Sequence, residues 1–253
     1  MSRDIIDYRV CGTEFQFLDP DDSVPKETMP GVPYEPSVAT LLHRILASDG
    51  HVLMDVGAHY GYFSVFAKRT NPKTSVHAFE PGANHRAILN HNLDINQTLV
   101  DVHGYALSDE NGTVPFSDRT LKVNSSVGAV TVEAIRFDDL NQELAINPTV
   151  VKVDVHGAEG KVLHGMPNSL HSDVRHLFVE VHASHLLSGD YSYADIVDFL
   201  DQLGFLVFEV ERFRYQRTPK LTLLEGESYE QFTQYELWSE DQINFERMLY
   251  AFK

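Results

Sequence analysis

The chain has a single cysteine, Cys11, among its 253 residues. No intrachain disulfide can form, so a packed core must hold the fold, and a reducing compartment is expected. No apolar run is long enough to span a bilayer. The start, MSRDIIDYRV, lacks the apolar stretch of a signal peptide, so the expected location is cytoplasmic. Cations are scarce: 20 Lys and Arg stand against 37 Asp and Glu, a net charge of −17. So acidic a surface repels phosphate backbones and anionic lipids, and no basic patch interleaved with aromatics offsets it. Neither nucleic acid nor a membrane is therefore expected as a partner. Internal repeats and low-complexity tracts are also missing. The length suits one large domain with a full core.

Against these absences stands one informative run, His51 to Tyr62 (HVLMDVGAHYGY). Apolar residues climb to Asp55, then come Gly57, three spacers and Gly61, and a second apolar stretch begins with Phe63, Val65 and Phe66. This pattern predicts a buried strand, a tight glycine turn and a helix, with backbone able to approach a ligand where a side chain would collide. Val76-His77-Ala78-Phe79 then ends in Glu80. An acidic residue at the tip of the second strand of a βαβ unit is where a ribose diol is held.

Residues 1–36 read as an N-terminal arm: a hairpin-like pattern from Tyr8 to Phe17, then a loop rich in Asp and Pro. Residues 37–253 read as a single domain. Helices are predicted over 37–47, 61–70, 82–94, 157–164 and 192–203, and strands over 52–56, 75–80, 100–107, 150–154 and 175–181. Near-continuous apolar strands alternating with helices imply an α/β, Rossmann-like architecture whose parallel sheet is covered on both faces. Asn111-Gly112 marks a turn in a β insertion at about 108–135. Phe205–Val210 and Tyr235–Trp238 read as strands, and Phe245, Met248, Leu249 and Phe252 as a closing helical stripe. The lack of a crossover helix between those two strands points to one antiparallel strand.

The dinucleotide fingerprint needs a third glycine that this turn lacks, because Ala58 and His59 follow Gly57. Asp55 would be a poor neighbour for a pyrophosphate and a good one for an ammonium or a sulfonium. The loop therefore suits S-adenosylmethionine better than NAD. The segments DVGAHYGYFSVFA (55–67), AFEP (78–81), ALSDENGTVPF (106–116), VKVDVHGAEGKVLHGM (151–166) and VEVH (179–182) resemble the FkbM-type family of S-adenosylmethionine-dependent methyltransferases. The resemblance implies the class I methyltransferase fold, a seven-stranded, mostly parallel sheet with a reversed last strand and helices on both faces. It also implies O-methylation of a hydroxyl on a sugar, a glycan or another small polyhydroxylated molecule. By position, Asp55, Gly57, His59 and Gly61 would line the methionine end of the donor, with Tyr60 packing nearby. Glu80 would bind the ribose hydroxyls, Pro81 would shape the turn beneath the adenine, and Ala106 and Leu107 would wall the adenine. Glu35 would reach the donor's amino group. The family more often has Asn at position 59 and Glu at position 156, where this chain has His.

Residues 154–156 read Asp-Val-His and residues 180–182 read Glu-Val-His. Strand alternation would put each acid and its histidine on one face, and neighbouring parallel strands would bring the two pairs together at the carboxyl edge of the sheet. Asp154, His156, Glu180 and His182 are thus the candidate catalytic residues, with a histidine as base, and Asp154 is also a candidate donor contact. His185, Lys152 and Glu159 lie close in sequence. A divalent metal on Asp154, Glu180 and His182 is the alternative to a metal-free base. Two other functions compete: a catalytically silent cofactor-binding subunit and an NAD(P)-dependent oxidoreductase.

Overall fold

The computed structural model describes residues 5–24, 32–117, 122–123, 130–182, 191–233 and 246–253. The expected strands at Tyr235–Trp238, together with Phe245 and His185, lie outside them. In chain order the elements are β1 (Ile5–Val10), β2 (Thr13–Leu18), α1 (Pro36–Leu46), β3 (Val52–Val56), α2 (Tyr62–Thr70), β4 (Ser75–Phe79) and α3 (Ala83–Ile95). Then come β5 (Asp101–His103), β6 (Ala106–Leu107), β7 (Gly112–Ser117), β8 (Lys122–Val123), β9 (Val130–Ile135), α4 (Phe137–Leu144), β10 (Val150–Val153), α5 (Glu159–His164) and α6 (Pro167–Ser172). The last are β11 (His176–His182), α7 (Tyr193–Gln202), β12 (Leu206–Glu211), β13 (Lys220–Leu223), α8 (Gly226–Thr233) and β14 (Glu246–Phe252).

The main sheet has the order β13-β12-β14-β11-β10-β3-β4-β5. Strands β5, β4, β3, β10 and β11 pair in parallel, and β14 runs antiparallel to both β11 and β12. This is the α/β Rossmann-like class I methyltransferase arrangement, with its reversed strand inserted between the fifth and sixth. An eighth strand, β13, extends the edge beyond the expected seven.

The reversed strand corrects the closing stripe: Met248 to Phe252 is strand, not helix. A short apolar run has the same look in both structures when both of its faces are buried. Here Met248 and Tyr250 join one core cluster while Leu249 and Ala251 join the other. The predicted strand 100–107 is also split, with β5 pairing to β4 and β6 to β9 of the four-stranded insertion sheet. Gly104 marks the break, as glycine in a strand often does.

The same alternation sorts the central strands. Met54, Val56, Val151, Val153, Leu177 and Val179 pack against α4 to α7, and Leu53, Val76, Ala78, Val150 and Phe178 against α1 to α3. The N-terminal hairpin covers the second face. Tyr8, Phe15 and Phe17 each pack a ring against Tyr62 of α2. From α3, Asn92 and Asn96 hydrogen-bond both backbone groups of Leu18 and Gln16. α7 starts in a full capping box between Ser192 and Asp195.

The chain order reverses direction between β3 and β10, and open α/β sheets bind ligands at the carboxyl ends beside such a reversal. Gly57 leaves β3 there with φ +78°. A Cβ on it would lie 1.8 Å from the carbonyl oxygen of Asp154. The glycine thus permits the turn to touch the end of β10 backbone to backbone. Gly57→Ala should lower stability by at least about 1–3 kcal/mol, the range for a strained backbone, before the clash is counted. Urea unfolding of the variant measures this loss, and wild-type stability would contradict the contact.

Candidate active site

The registers explain why charge gathers at this edge. Lys152 of β10 stands opposite both Asp55 of β3 and Phe178 of β11, and His182 of β11 opposite Glu246 of β14. Side chains two apart share a face, so Asp55, Lys152, Glu180, His182 and Glu246 all project toward the α1–α3 side. Lys152 is 2% exposed. Its ammonium donates to Asp154 Oδ2 at 3.0 Å and lies 4.8 Å from the centre of the Phe63 ring. Burial opposes this charge, but Asp154, Glu35, Asp55 and Glu180 around it push its pKa above the usual lysine range. Burial likewise opposes the charge of Asp154, yet Lys152 and the two histidines hold its carboxyl well below the usual carboxylate range.

On the far side, Arg214 pairs with Glu180 and lies 2.7 Å from Glu246. Burial, Asp154 and Glu35 raise the pKa of Glu180 despite that cation. Glu35 is fully buried, in a left-handed backbone conformation, and neither of its carboxyl oxygens has a hydrogen-bond partner among the described residues. Burial raises its pKa as well. Glu35 sits behind the cleft, close to Asp154 and Glu180, and does not line it. Its chain position just before α1 aims it at the sheet cluster rather than outward.

A cleft of about 520 Å³ opens over this edge, within the size range of small-molecule sites. Asp55, Gly57, His59, Tyr60, Glu80 and Pro81 line it, as do Ala106, Leu107, Asp154, His156 and His182. Gly61 does not line it; with φ +86° it opens α2 and packs on Leu89. Glu80 is held rigidly: Oε2 accepts the His59 N–H at 3.0 Å, and Oε1 accepts the Gly82 N–H at 2.8 Å and lies 3.2 Å from His85 Nδ1. Burial, then His85, lowers the His59 pKa to about 4. Asp55 accepts the Ser64 hydroxyl at 2.6 Å, and burial raises its pKa.

Several wall residues were not singled out from sequence. Ser23 and Val24 arrive from the N-terminal arm, and Phe116 from the insertion. Tyr60 ties to the arm through its hydroxyl, 3.0 Å from Asp21. Arg214 and Tyr215 also line the cleft with Tyr34, and these two the sequence does mark: they belong to the aromatic and basic tail (Arg212, Phe213, Arg214, Tyr215, Arg217), whose residue types suit an acceptor wall.

The two histidines arrive by different routes. His182 lies on β11, as alternation requires, whereas β10 stops at Val153 and His156 reaches the site through a turn, at φ +56°. Their rings stack with centroids 4.3 Å apart and planes 21° from parallel. His182 Nδ1 pairs with Glu159 Oε1 at 2.8 Å, and both side chains are buried. Burial opposes a charge on His182, but the Glu159 bond and charge, with Asp154 and Glu180, push its pKa up to about 10. Burial lowers that of His156, with the neighbouring His182 adding to the effect.

Asp154, His156 and His182 place one ligand atom each within 4.8 Å of one another. A metal takes the lone pair that lies in the plane of an imidazole. With its pKa raised to about 10 and Nδ1 held by Glu159, His182 keeps a proton on each ring nitrogen and offers a cation no lone pair. In the alternative set, Lys152 holds Asp154 Oδ2 and Arg214 holds Glu180. The residues present do not fit a divalent cation in this arrangement. A donor with a cationic centre fits better, because the carboxylates on the wall favour positive charge.

Replacing Lys152 by Met keeps the volume and strands Asp154. The variant should lose about 3–5 kcal/mol, the cost of leaving one partner of a buried pair. Chemical denaturation measures this, and a loss below about 1 kcal/mol would show that the pair behaves as a surface one.

The comparisons agree with this geometry. The profile of the family described as Methyltransferase FkbM domain matches residues 55–207. Hexuronic acid methyltransferase AglP of Haloferax volcanii is 35% identical over 143 residues, covering 54% of this chain and 58% of AglP; the match thus spans less than two thirds of that relative. 31-O-demethyl-FK506 methyltransferase FkbM of Streptomyces tacrolimicus is 27% identical over 205 residues, covering 66% of this chain and 77% of that protein. The crystal structure of the SAM-dependent methyltransferase from Agrobacterium tumefaciens has the same fold, with a TM-score of 0.52 at 10% identity over all of this chain and 71% of the other. With the strand order, the reversed β14 and the glycine turn in place, the chain belongs to the FkbM methyltransferase family.

Proposed function

We propose that this protein is an S-adenosylmethionine-dependent O-methyltransferase acting on a hydroxyl of a sugar, glycan or other small polyhydroxylated acceptor. One observation carries the reading: the glycine turn, the Glu80 tip and the Asp154–His156–His182 wall line a single cleft at the reversal of the sheet. The hexuronic acid in the name of AglP supports a sugar acceptor. So do the aromatic faces of Tyr34 and Tyr215, since rings pack well on the apolar faces of sugars.

When bound, the donor supplies a methyl carbon on a sulfonium, which the acceptor oxygen displaces as the carbon–sulfur bond breaks. Asp55 and Asp154 provide negative charge for that cation. Glu80, already fixed by two backbone N–H groups, receives the ribose hydroxyls. Pro81 shapes the turn beside it, and Ala106 and Leu107 form the apolar wall for adenine. His59, Tyr60 and Gly61 shape the donor loop. The loop thus positions the donor against the acceptor side, where most of the acceleration arises from alignment. His156 is neutral near pH 7 because burial lowers its pKa, so it takes the acceptor's proton. Asp154, 3.8 Å away, stabilises the imidazolium that forms. His182 stays protonated and steadies negative charge developing on the acceptor oxygen, and Glu180 with Arg214 fixes the wall behind it.

Calorimetry should detect binding of S-adenosylmethionine and not of NAD. Labelled methyl groups should pass to a hydroxyl in a panel of uronic-acid and neutral oligosaccharides. Donor binding without transfer to any polyol would sink the acceptor assignment and revive the silent-subunit reading. The pH profile follows from the sign of the shift. Protonation disables His156, and its pKa lies below the ordinary 6.5, so the acid limb of kcat/KM should fall below pH 6.5. His156→Asn should remove that limb and about 10²-fold of the rate or more.

A further inference from the structure

Neither the glycine turn nor the strand tips account for Glu159, the first residue of α5. Its side chain is fully buried, an unusual place for a carboxylate. One oxygen does two things at once: it pairs with His182 Nδ1 at 2.8 Å and accepts the Gly157 N–H at 2.9 Å. Gly157 follows His156, and both stand at positive φ, +103° and +56°. The same carboxylate therefore clamps the turn that carries one histidine and the ring of the other.

The consequence lies at the opposite nitrogen. With Nδ1 turned to Glu159, Nε2 of His182 faces Asp154 Oδ1 at 3.7 Å, with Glu180 and Glu246 each at 3.9 Å. His156 Nδ1 is 3.8 Å from that same Asp154 oxygen. Oδ1 is buried without a hydrogen-bond partner among the described residues. Gaps of this length are too long for a direct hydrogen bond, yet an oxygen seated to one side of the line joining them can lie about 2.8 Å from both atoms. Asp154, His156 and His182 all line the cleft, so the intervening oxygen would come from its contents.

We infer that Glu159 is a positioning residue: it fixes the His182 ring and the His156 turn so that Nε2 of His182, Nδ1 of His156 and Oδ1 of Asp154 surround one acceptor hydroxyl. This rests on the methyl-transfer reading above and adds the seat of the reacting oxygen. In that seat the hydroxyl accepts from His182 Nε2–H and shares its one proton between Asp154 Oδ1 and His156 Nδ1. As the oxygen–carbon bond forms, its proton passes to His156 Nδ1. Glu159 touches neither substrate; it acts through the two rings, as a carboxylate orients an imidazole in hydrolytic triads and metal sites.

The test compares Glu159→Gln, which keeps an accepting oxygen, with Glu159→Leu, which does not. Methyl transfer from labelled donor to the uronic-acid oligosaccharides should fall about 10²-fold or more in kcat for the Leu variant. The Gln variant should recover part of that loss. Affinity for S-adenosylhomocysteine should stay within about threefold of wild type in both, a change worth under 1 kcal/mol. If the Leu variant does not fold, an intermediate kcat in the Gln variant with unchanged affinity supports the role. Wild-type kcat in the Gln variant, or loss of affinity and melting temperature in step with kcat, overturns it.

A second measurement needs no acceptor. Imidazole nitrogen–proton correlations of the S-adenosylhomocysteine complex should show a proton on His182 Nδ1 that is protected from exchange. The Gln variant should exchange it faster. An unprotonated Nδ1 in the wild type overturns the inference even if methyl transfer is found. A protected Nδ1 proton with no transfer to any acceptor upholds the Glu159 clamp and removes the methyl-transfer reading instead.

Discussion

Lys152 supplies the charge on which the site is built. Its ammonium stands on β10, between β3 and β11, on the same face as Asp55, Glu180 and His182, and binds Asp154 at 3.0 Å. Four carboxyl groups surround it: Asp154, Glu35, Asp55 and Glu180. So many buried acids cannot all ionise without a cation among them. Because Lys152 takes Asp154 Oδ2, Oδ1 is left to face the two histidines. The direction of that oxygen, and hence the shape of the reaction centre, depends on one ion pair. Arg214 performs the matching task for Glu180 and Glu246 at the other end of the cluster.

A second constraint is steric. The turn after β3 and the end of β10 touch backbone to backbone at Gly57 and Asp154. The loop after β3 and the backbone that carries the Asp154 carboxylate therefore hold each other in place. Alignment is the main demand of an in-line transfer, and a mutual contact of this kind meets it without flexible side chains. Glu80 is preset in the same way, by backbone N–H groups of His59 and Gly82. The insertion and the arm then close the walls with Phe116, Ser23 and Val24.

The histidine pair shows how small structural differences drive the titration of like residues apart. Both rings sit in the same stack and beside the same aspartate. One has a buried carboxylate against Nδ1 and is pushed up to about 10; burial lowers the other. Environments that drive two similar groups apart are how a site comes to hold a proton donor and a proton acceptor together.

Much of this was readable in the residues themselves. Apolar runs of four or five residues, glycine punctuation and the acidic tip at Glu80 determined β3, β4, β10 and β11, the turn at Gly57 and the family, because they depend on local pattern. Alternation placed Glu180 and His182 on one face of β11 correctly. It did not place His156, since β10 ends at Val153 and a left-handed turn takes over. The ERMLYAF segment could be read as a helix because burial on both faces erases the strand's period. Only the tertiary fold decided that Glu35 sits behind the cleft, that Lys152 neutralises the cluster and that Glu159 reaches His182. Each of those facts is a contact between elements distant in the chain, and electrostatics in a buried cluster depends on distance in space rather than along the sequence.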